Sequence, residues 1–452
     1  MLIEVNSLSA NTAIQANGNN RAIADHKDHS SENEAFRPRQ IVGDIPVDLN
    51  PKNGESFLFV SKSQVTLTHG IHKFPAKFFP ELPRWIISKY SREGDWLLDP
   101  FTGSGTTNLE ASTRGRHSIG IDVDPFARLI TEVKTTVLND VPLRRAWKSL
   151  SKRVESYSDT AKIEGIPDFP YRDNWFKSYI LKELAFIKNE IEATQTSEQI
   201  KRFFLVCFSS IIRHVSEADN NCTRTVVRKS LGKKIWPRMA IDRFLKRTDL
   251  QVERMCELNA LNPSGRVIVP TEADARNLSQ IEDERIDLAL TSPPYVNAVD
   301  YPRTHQLEIY WLGIERGSLR EMKQQHVGTE VVRAAEYSRL HSSRCKEADE
   351  VIQKIFDLDP RRAYIATKYL LEMSTNLREV HRVLKPRGRY VIVVGNNRIR
   401  NHDFETWKYL CSIATDLGFE IELCFVSAVI NHFIKVPRKE RINNDFVVVL
   451  QK

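Results

Sequence analysis

The sequence predicts a doubly wound α/β fold interrupted by a helical insertion. Three observations predict it. A strand, glycine turn, helix and second strand follow one another between residues 95 and 122, the start of a parallel sheet. Apolar residues then recur only at helical spacing from 143 to 260, and strand-like runs return from 261 onward.

Length and composition suit this architecture. The chain has 452 residues, enough for two domains or for one large domain with an insertion. Hydrophobic residues make up 41% and charged residues 27%, so a sizeable core can form. Nowhere is there a run of about 18 apolar residues, which argues against a membrane span. The N-terminus lacks the apolar centre of a signal peptide, so a cytoplasmic location is expected. Six scattered cysteines (Cys207, Cys222, Cys256, Cys345, Cys411 and Cys424) contain no C-x-x-C pair, so neither a metal site nor a disulfide framework is expected.

Formal net charge is +8, with a pI of about 9.0, compatible with a polyanionic partner. Its distribution is more informative. Residues 221–254 hold ten Lys/Arg against three acids, a local charge of +7. Arg228, Lys229, Lys233, Lys234 and Arg238 belong to this window. A solvated helix face would look the same on charge alone.

In chain order, residues 1–40 are polar and without periodicity and read as a loosely attached or disordered arm. Residues 41–142 form the first part of the α/β domain. Regular structure is expected to begin with the apolar run Ser56–Val60, followed by a helix over Pro80–Ser88. Asp95–Asp99 is a strand, Pro100–Thr107 the turn, Asn108–Arg114 the opening of a helix, and His117–Asp122 the next strand. In the 143–260 insertion, Trp175, Tyr179, Ile180, Leu184, Ile187 and Ile191 share one helix face, and Phe203–Ile212 reads as a buried helix. The 261–452 part resumes with strands at 266–270 and 286–290. A helix over Tyr369–Leu384 should end at Pro386–Gly388, before strands at 389–394, 421–426 and 445–450.

Two strand ends carry the chemistry. At the first, Asp99-Pro100-Phe101-Thr102-Gly103-Ser104-Gly105-Thr106-Thr107 places two glycines where ligands of open sheets bind and where a backbone must approach closely. Asp122, at the end of the next strand, stands about where an acid would bind ribose hydroxyls. No Lys follows the glycines, which removes a P-loop, and the third glycine of a dinucleotide site is absent. A structural turn and a nucleoside site both remain open on this motif alone.

At the second strand end stands Thr291-Ser292-Pro293-Pro294-Tyr295. An exocyclic base amine is a poor nucleophile because its lone pair is delocalised into the ring. Acceptors for both amino hydrogens favour a pyramidal nitrogen that can attack. The Ser292 hydroxyl and the Pro293 carbonyl offer such acceptors, and Pro293 with Pro294 stiffens the turn beforehand. Tyr295 has a face on which an extrahelical base can stack. The competing reading is a Pro-Pro turn with Tyr295 in the core.

Together these motifs resemble the amino-methylating DNA methyltransferases, and Ser292 within T-S-P-P-Y resembles the cytosine-N4 branch. The resemblance covers most of residues 65–450 and the insertion only loosely. It implies a Rossmann-like S-adenosylmethionine-dependent methyltransferase fold and transfer of a methyl group to cytosine N4 in DNA. The insertion would then be the target-recognition region and 261–452 the catalytic half. The implied cofactor residues are Lys73, Phe74, Pro75, Asp99, Phe101, Gly103, Ser104, Gly105, Thr106, Asp122, Asp274 and Ala275. Lys73–Pro75 lie in a segment, His69–Phe78, that resembles the one cupping the methionine end, and Asp274-Ala275 resembles the adenine border. Ser292, Pro293, Pro294 and Tyr295 are the implied catalytic residues. Arg303, within the polar run Asn297, Asp300, Tyr301, Arg303 and His305, and Lys435 and Arg438, within a second basic stretch, join the basic window as implied DNA contacts. Trp236 is either a wedge into DNA or packing. A cognate restriction endonuclease is a possible partner. Adenine N6 is the alternative target, and a DNA-binding protein with a vestigial cofactor fold is the alternative class.

Overall fold

The computed structural model describes residues 38–452 except 64, 161–162, 229, 231, 297–298, 316 and 429–443. Residues 1–37 of the expected arm, Lys229, Asn297 and the stretch containing Lys435 and Arg438 therefore lie outside the described residues. The described strands are β1 (Arg39–Val42), β2 (Ser56–Val60), β3 (Trp96–Asp99), β4 (His117–Gly120), β5 (Val267–Ile268), β6 (Ile286–Thr291), β7 (Leu384–Gly395), β8 (Asn397–Ile399), β9 (His402–Phe404), β10 (Glu420–Ala428) and β11 (Asn444–Gln451). The helices are α1 (Glu81–Tyr90), α2 (Thr106–Ser112), α3 (Pro125–Thr135), α4 (Asp140–Glu155), α5 (Arg172–Trp175), α6 (Ser178–Glu192), α7 (Glu198–Val215), α8 (Met239–Ala260), α9 (Tyr301–Thr304), α10 (Gln306–Leu312), α11 (Leu319–Gln325), α12 (Lys346–Phe356), α13 (Pro360–Val383) and α14 (Thr406–Asp416).

Nine strands form one sheet in the order β1-β2-β10-β11-β7-β6-β3-β4-β5. All neighbours pair in parallel except β11, which runs antiparallel to both β7 and β10. This is the doubly wound, Rossmann-like sheet the sequence predicts. Strand order reverses at β3, with β4 on one side and β6 on the other. Such a switch point is where open sheets bind ligands.

The sheet is held by apolar residues alternating between its two faces. Leu97, Leu288, Leu290, Val391 and Val393 share a cluster with Trp85, Ile86 and Ile87 of α1. Leu98, Ala289, Tyr390, Ile392 and Val394 pack with Tyr369, Leu370 and Met373 of α13 and Leu410 and Ile413 of α14. Each fully buried aliphatic side chain of this kind contributes about 1.5–3 kcal/mol.

The insertion is not a separate body. Phe203, Phe204, Phe208 and Ile212 of α7 share one cluster with Leu109 of α2, Phe126 and Ile130 of α3, and Leu307 and Trp311 of α10. Its first helix starts at Asp140 rather than 143, because the Asn139 side chain accepts from the Val141 N–H and caps it there.

Other boundaries also differ. β1 precedes the first expected strand, and α7 extends the expected 203–212 helix to Glu198–Val215, capped by Ser197. The helix expected over Tyr369–Leu384 begins at Pro360, where Asp359 caps it and Pro360 needs no N–H partner. Pro386–Gly388 lie inside β7 instead of in a terminating turn. Among the described residues no helix is long and apolar enough to cross a membrane, and no cluster of His, Cys, Asp and Glu is arranged to hold a metal ion.

Candidate active site

The two motifs meet because β6 and β3 are neighbours. Leu97 pairs with Leu288 and Leu98 with Ala289, so the strands end side by side. Beyond that register the Thr291 hydroxyl donates to Asp99 Oδ1 at 2.6 Å, tying together residues 192 positions apart. Asp99 also accepts from the Phe101 N–H at 3.1 Å, which shapes the turn. Burial nevertheless raises the Asp99 carboxyl to about 6, against the pull of these hydrogen bonds.

The turn needs its glycines. Gly105 has φ +71, and a Cβ there would lie 2.7 Å from Thr131 Cγ2. Gly103 has φ +50 and faces the Phe74 ring. Its N–H donates to Asp122 Oδ2 at 2.9 Å, and the Asp124 N–H donates to Asp122 Oδ1 at 2.9 Å. Burial, with the nearby Asp124 charge adding to it, raises the Asp122 carboxyl to about 6. Ser104 and Thr106 are buried behind the turn.

Over these strand ends lies a cavity of about 530 Å³. Of the residues singled out from sequence, Phe74, Phe101, Gly103, Asp122, Asp274, Ala275, Ser292 and Pro294 line it. Tyr301, expected only as part of a polar run, forms another wall, stacked on Phe74 with ring centroids 5.5 Å apart. Pro100, Val123, Asp124, His326 and Val327 complete it, and sequence reasoning did not single them out as site residues. Asp274 is held by a two-pronged ion pair with Arg276, at 2.9 Å and 2.6 Å.

Tyr295 does not line this cavity. Its ring packs against the core below the turn, and its hydroxyl donates to Asp445 Oδ1 at 3.0 Å. Burial raises the Asp445 carboxyl to about 6 and the Tyr295 hydroxyl well above its ordinary value. Asp445 was visible in sequence only as an acid opening a valine-rich strand. Among the described residues the Ser292 hydroxyl has no hydrogen-bond partner within the protein.

Lys73 and Pro75 depart from their expected place. They line a second cavity of about 470 Å³, with His72, Arg213, His214, His305 and Glu308. Lys73 donates to the Asn220 carbonyl at 3.0 Å, toward the insertion. Phe74 alone of the three reaches the first cavity, because neighbouring residues in this extended segment face different ways.

The basic window also divides. Lys233 is partly buried and donates to the carbonyls of Arg213 and Ala218 at 2.9 and 2.8 Å, and Arg238 donates to the carbonyls of Tyr157 and Glu155. These two cations brace the insertion's backbone instead of standing free for phosphate. Arg228, Lys234 and Arg303 are exposed, with Arg228 3.4 Å from Asp219. Trp236 is 50% exposed.

The N6/N4 DNA methylase family model matches residues 20–132, which contain both the His69–Phe78 segment and the glycine turn. This match supports an amino-methylating DNA methyltransferase family. An RMKL-like methyltransferase domain model also matches, over residues 87–245. The Type II methyltransferase M.MvaI of Kocuria varians is 26% identical, the match covering 84% of this chain and 86% of that protein. M.BsoBI of Geobacillus stearothermophilus is 25% identical, with 78% of each chain covered. A solved S-adenosylmethionine-dependent methyltransferase from Methanosarcina mazei aligns over 81% of this chain and 96% of that one, at 14% identity and a TM-score of 0.30. The fold of this methyltransferase rests on its strand order rather than on that likeness.

Its cofactor is S-adenosylmethionine, and the residues present fit it. Asp122, Asp124 and Asp274 give the cavity three carboxylates, suited to a ligand that is cationic and donates through hydroxyl and amino groups. Phe74, Phe101 and Tyr301 supply apolar walls, and Gly103 admits a close backbone approach.

Proposed function

We propose that this methyltransferase modifies the exocyclic N4 of cytosine in DNA, as the modification enzyme of a restriction-modification pair or as an orphan. The reading is carried by Ser292, a short hydroxyl residue at the cavity wall where the adenine-N6 branch would usually show Asp or Asn. Adenine N6 is the second reading, because both branches share fold and chemistry. The Type II methyltransferase relatives support the restriction-modification part of this reading.

When bound, S-adenosylmethionine supplies an electrophilic methyl group on a sulfonium. The chain's own residues prepare the acceptor. Ser292 Oγ and the Pro293 carbonyl accept from the two amino hydrogens, so the nitrogen lone pair turns toward the methyl carbon. The Thr291–Asp99 hydrogen bond fixes that turn against the glycine turn, so both reactants are oriented before they meet. Tyr295, pinned by Asp445 below the turn, supports Ser292 and Pro293 from the core side. Phe74 and Phe101 with Asp99, Gly103, Ser104, Gly105, Thr106, Asp122, Asp274 and Ala275 shape the cofactor site, the buried members by holding the turn. Arg228, Lys234 and Arg303, all exposed, would contact phosphate, which sets affinity more than sequence choice.

Incubating the chain with labelled cofactor and DNA, followed by nucleoside mass spectrometry, tests the reading. N4-methylcytosine is the expected product. N6-methyladenine alone overturns the cytosine assignment, and no product on any DNA favours a protein that only binds. Ser292→Ala should lower transfer about a hundredfold while DNA affinity stays the same. Unchanged transfer would sink the role given to Ser292.

A further inference from the structure

His326 is the only basic side chain among the residues lining the first cavity. It comes from the end of α11, a segment no motif marked. Its Nδ1 lies 2.9 Å from the Met322 carbonyl. A carbonyl oxygen only accepts, so Nδ1 carries the proton and, in the neutral ring, Nε2 is left as an acceptor. That Nε2 is buried and has no hydrogen-bond partner among the described residues. A buried acceptor without a partner is destabilising, so its retention calls for a ligand that donates to it.

The ring is held in place. Tyr301 stacks on it with centroids 6.1 Å apart and planes 15° from parallel, and Phe74 stacks on the other side of Tyr301. Arg276, paired with Asp274 and Glu372, donates to the Gln325 carbonyl at 2.8 Å and straps the segment over the cavity. Asp122 stands in the same cavity. Each of its oxygens takes one backbone N–H and retains a further lone pair for a ligand. Both side chains line the same cavity.

We propose that His326 is a cofactor-binding residue that shares the ribose hydroxyls of S-adenosylmethionine with Asp122, Nε2 accepting from one hydroxyl and the carboxylate from the other. A neutral acceptor and a carboxylate match two neighbouring hydroxyl donors. The inference rests on the family's cofactor and on the ribose role given to Asp122.

Calorimetric titration of the full chain with S-adenosylhomocysteine, and with its 2′-deoxy and 3′-deoxy analogues, tests this without turnover. His326→Ala should weaken S-adenosylhomocysteine about tenfold. It should change affinity less than about twofold for the analogue lacking the hydroxyl that His326 holds. His326→Gln, which keeps an acceptor, should recover most of the loss. Ligand-free melting curves establish that each variant is folded. If His326→Ala does not fold, the parent and His326→Gln carry the test through the same two analogues, since each must lose affinity for both of them, and a loss for only one would overturn the shared arrangement. Unchanged affinity in His326→Ala, equal losses for all three ligands, or a parent indifferent to both missing hydroxyls would overturn the assignment. A parent that binds no S-adenosylhomocysteine at all would remove the cofactor reading itself, an outcome distinct from those three.

Discussion

Two cavities of similar volume, about 530 and 470 Å³, meet at the His72–Pro75 segment and use polar groups in opposite ways. In the first, the carboxylates of Asp122, Asp124 and Asp274 and the imidazole of His326 line the space. In the second, Arg213 donates to the carbonyls of Asp219, Cys222, Thr223 and Arg224 and Lys73 to that of Asn220, while Lys233, outside the lining, donates to the carbonyls of Arg213 and Ala218. Burial lowers its His72 and His214 to about 4 and raises Glu308 to about 7. The first cavity keeps acceptors available for a ligand. The second cavity's two long cations hold the 219–224 loop, Arg213 from α7 of the insertion and Lys73 from the segment before α1. Volume alone would not tell the two apart; the direction of the hydrogen bonds does.

The contrast can be broken most strongly at the turn beneath the first cavity. Gly105→Ala combines a left-handed backbone with a Cβ 2.7 Å from Thr131. It should cost about 2–4 kcal/mol of stability and abolish cofactor binding, read by chemical denaturation and calorimetry.

Asp122→Asn separates stability from binding. The folded carboxyl is held near 6, above the ordinary 3.8, so the folded chain binds this proton more tightly than the unfolded chain does. The carboxylate therefore costs stability above about pH 6, and the cost fades as pH falls toward 3.8. The variant should lack this pH dependence, so its stability relative to the parent should be greater by about 1–3 kcal/mol at pH 7.5 than near pH 4, while its amide, with one acceptor oxygen for two backbone N–H groups, lowers stability at both. It should also bind S-adenosylhomocysteine more weakly. A relative stability that does not change between pH 4 and pH 7.5 would contradict the assigned burial.

Lys233→Met tests the brace beside the second cavity. Leaving the carbonyls of Arg213 and Ala218 without this donor should cost about 1–2 kcal/mol, while cofactor affinity in the first cavity stays unchanged. A loss of DNA affinity with no loss of stability would return Lys233 to the phosphate-binding surface. The smallest effect is expected below the catalytic turn. Tyr295→Phe removes only the bond to Asp445 and should slow methyl transfer a few-fold, about 1 kcal/mol, without changing cofactor affinity.

Legibility followed the range of the interactions. The β3–α2–β4 unit and β6 were readable because glycine turns and apolar runs are local signals. Pro386–Gly388 misled because proline and glycine normally stop a helix, yet here α13 has already ended at Val383 and the strand starts at once. The start of α13 was missed because Arg361, Arg362 and Lys368 interrupt its apolar residues, although Ala363, Ile365 and Ala366 are buried, and Asp359 with Pro360 supplies the cap. Lys73 and Lys233 read as cofactor and DNA contacts because sequence shows charge but not its partner.

By itself the sequence determined the parallel sheet, the glycine turn at one strand end and the Ser-Pro-Pro-Tyr turn at another, since these depend on residues close in the chain. Tertiary structure alone decided which groups meet. The pairing of β3 with β6 brings Asp99 to Thr291, the β11 edge brings Asp445 to Tyr295, and the strap after α11 brings His326 over Asp122. Those contacts join positions far apart in the chain, and only the packed sheet and its helices fix the register in which they face one another.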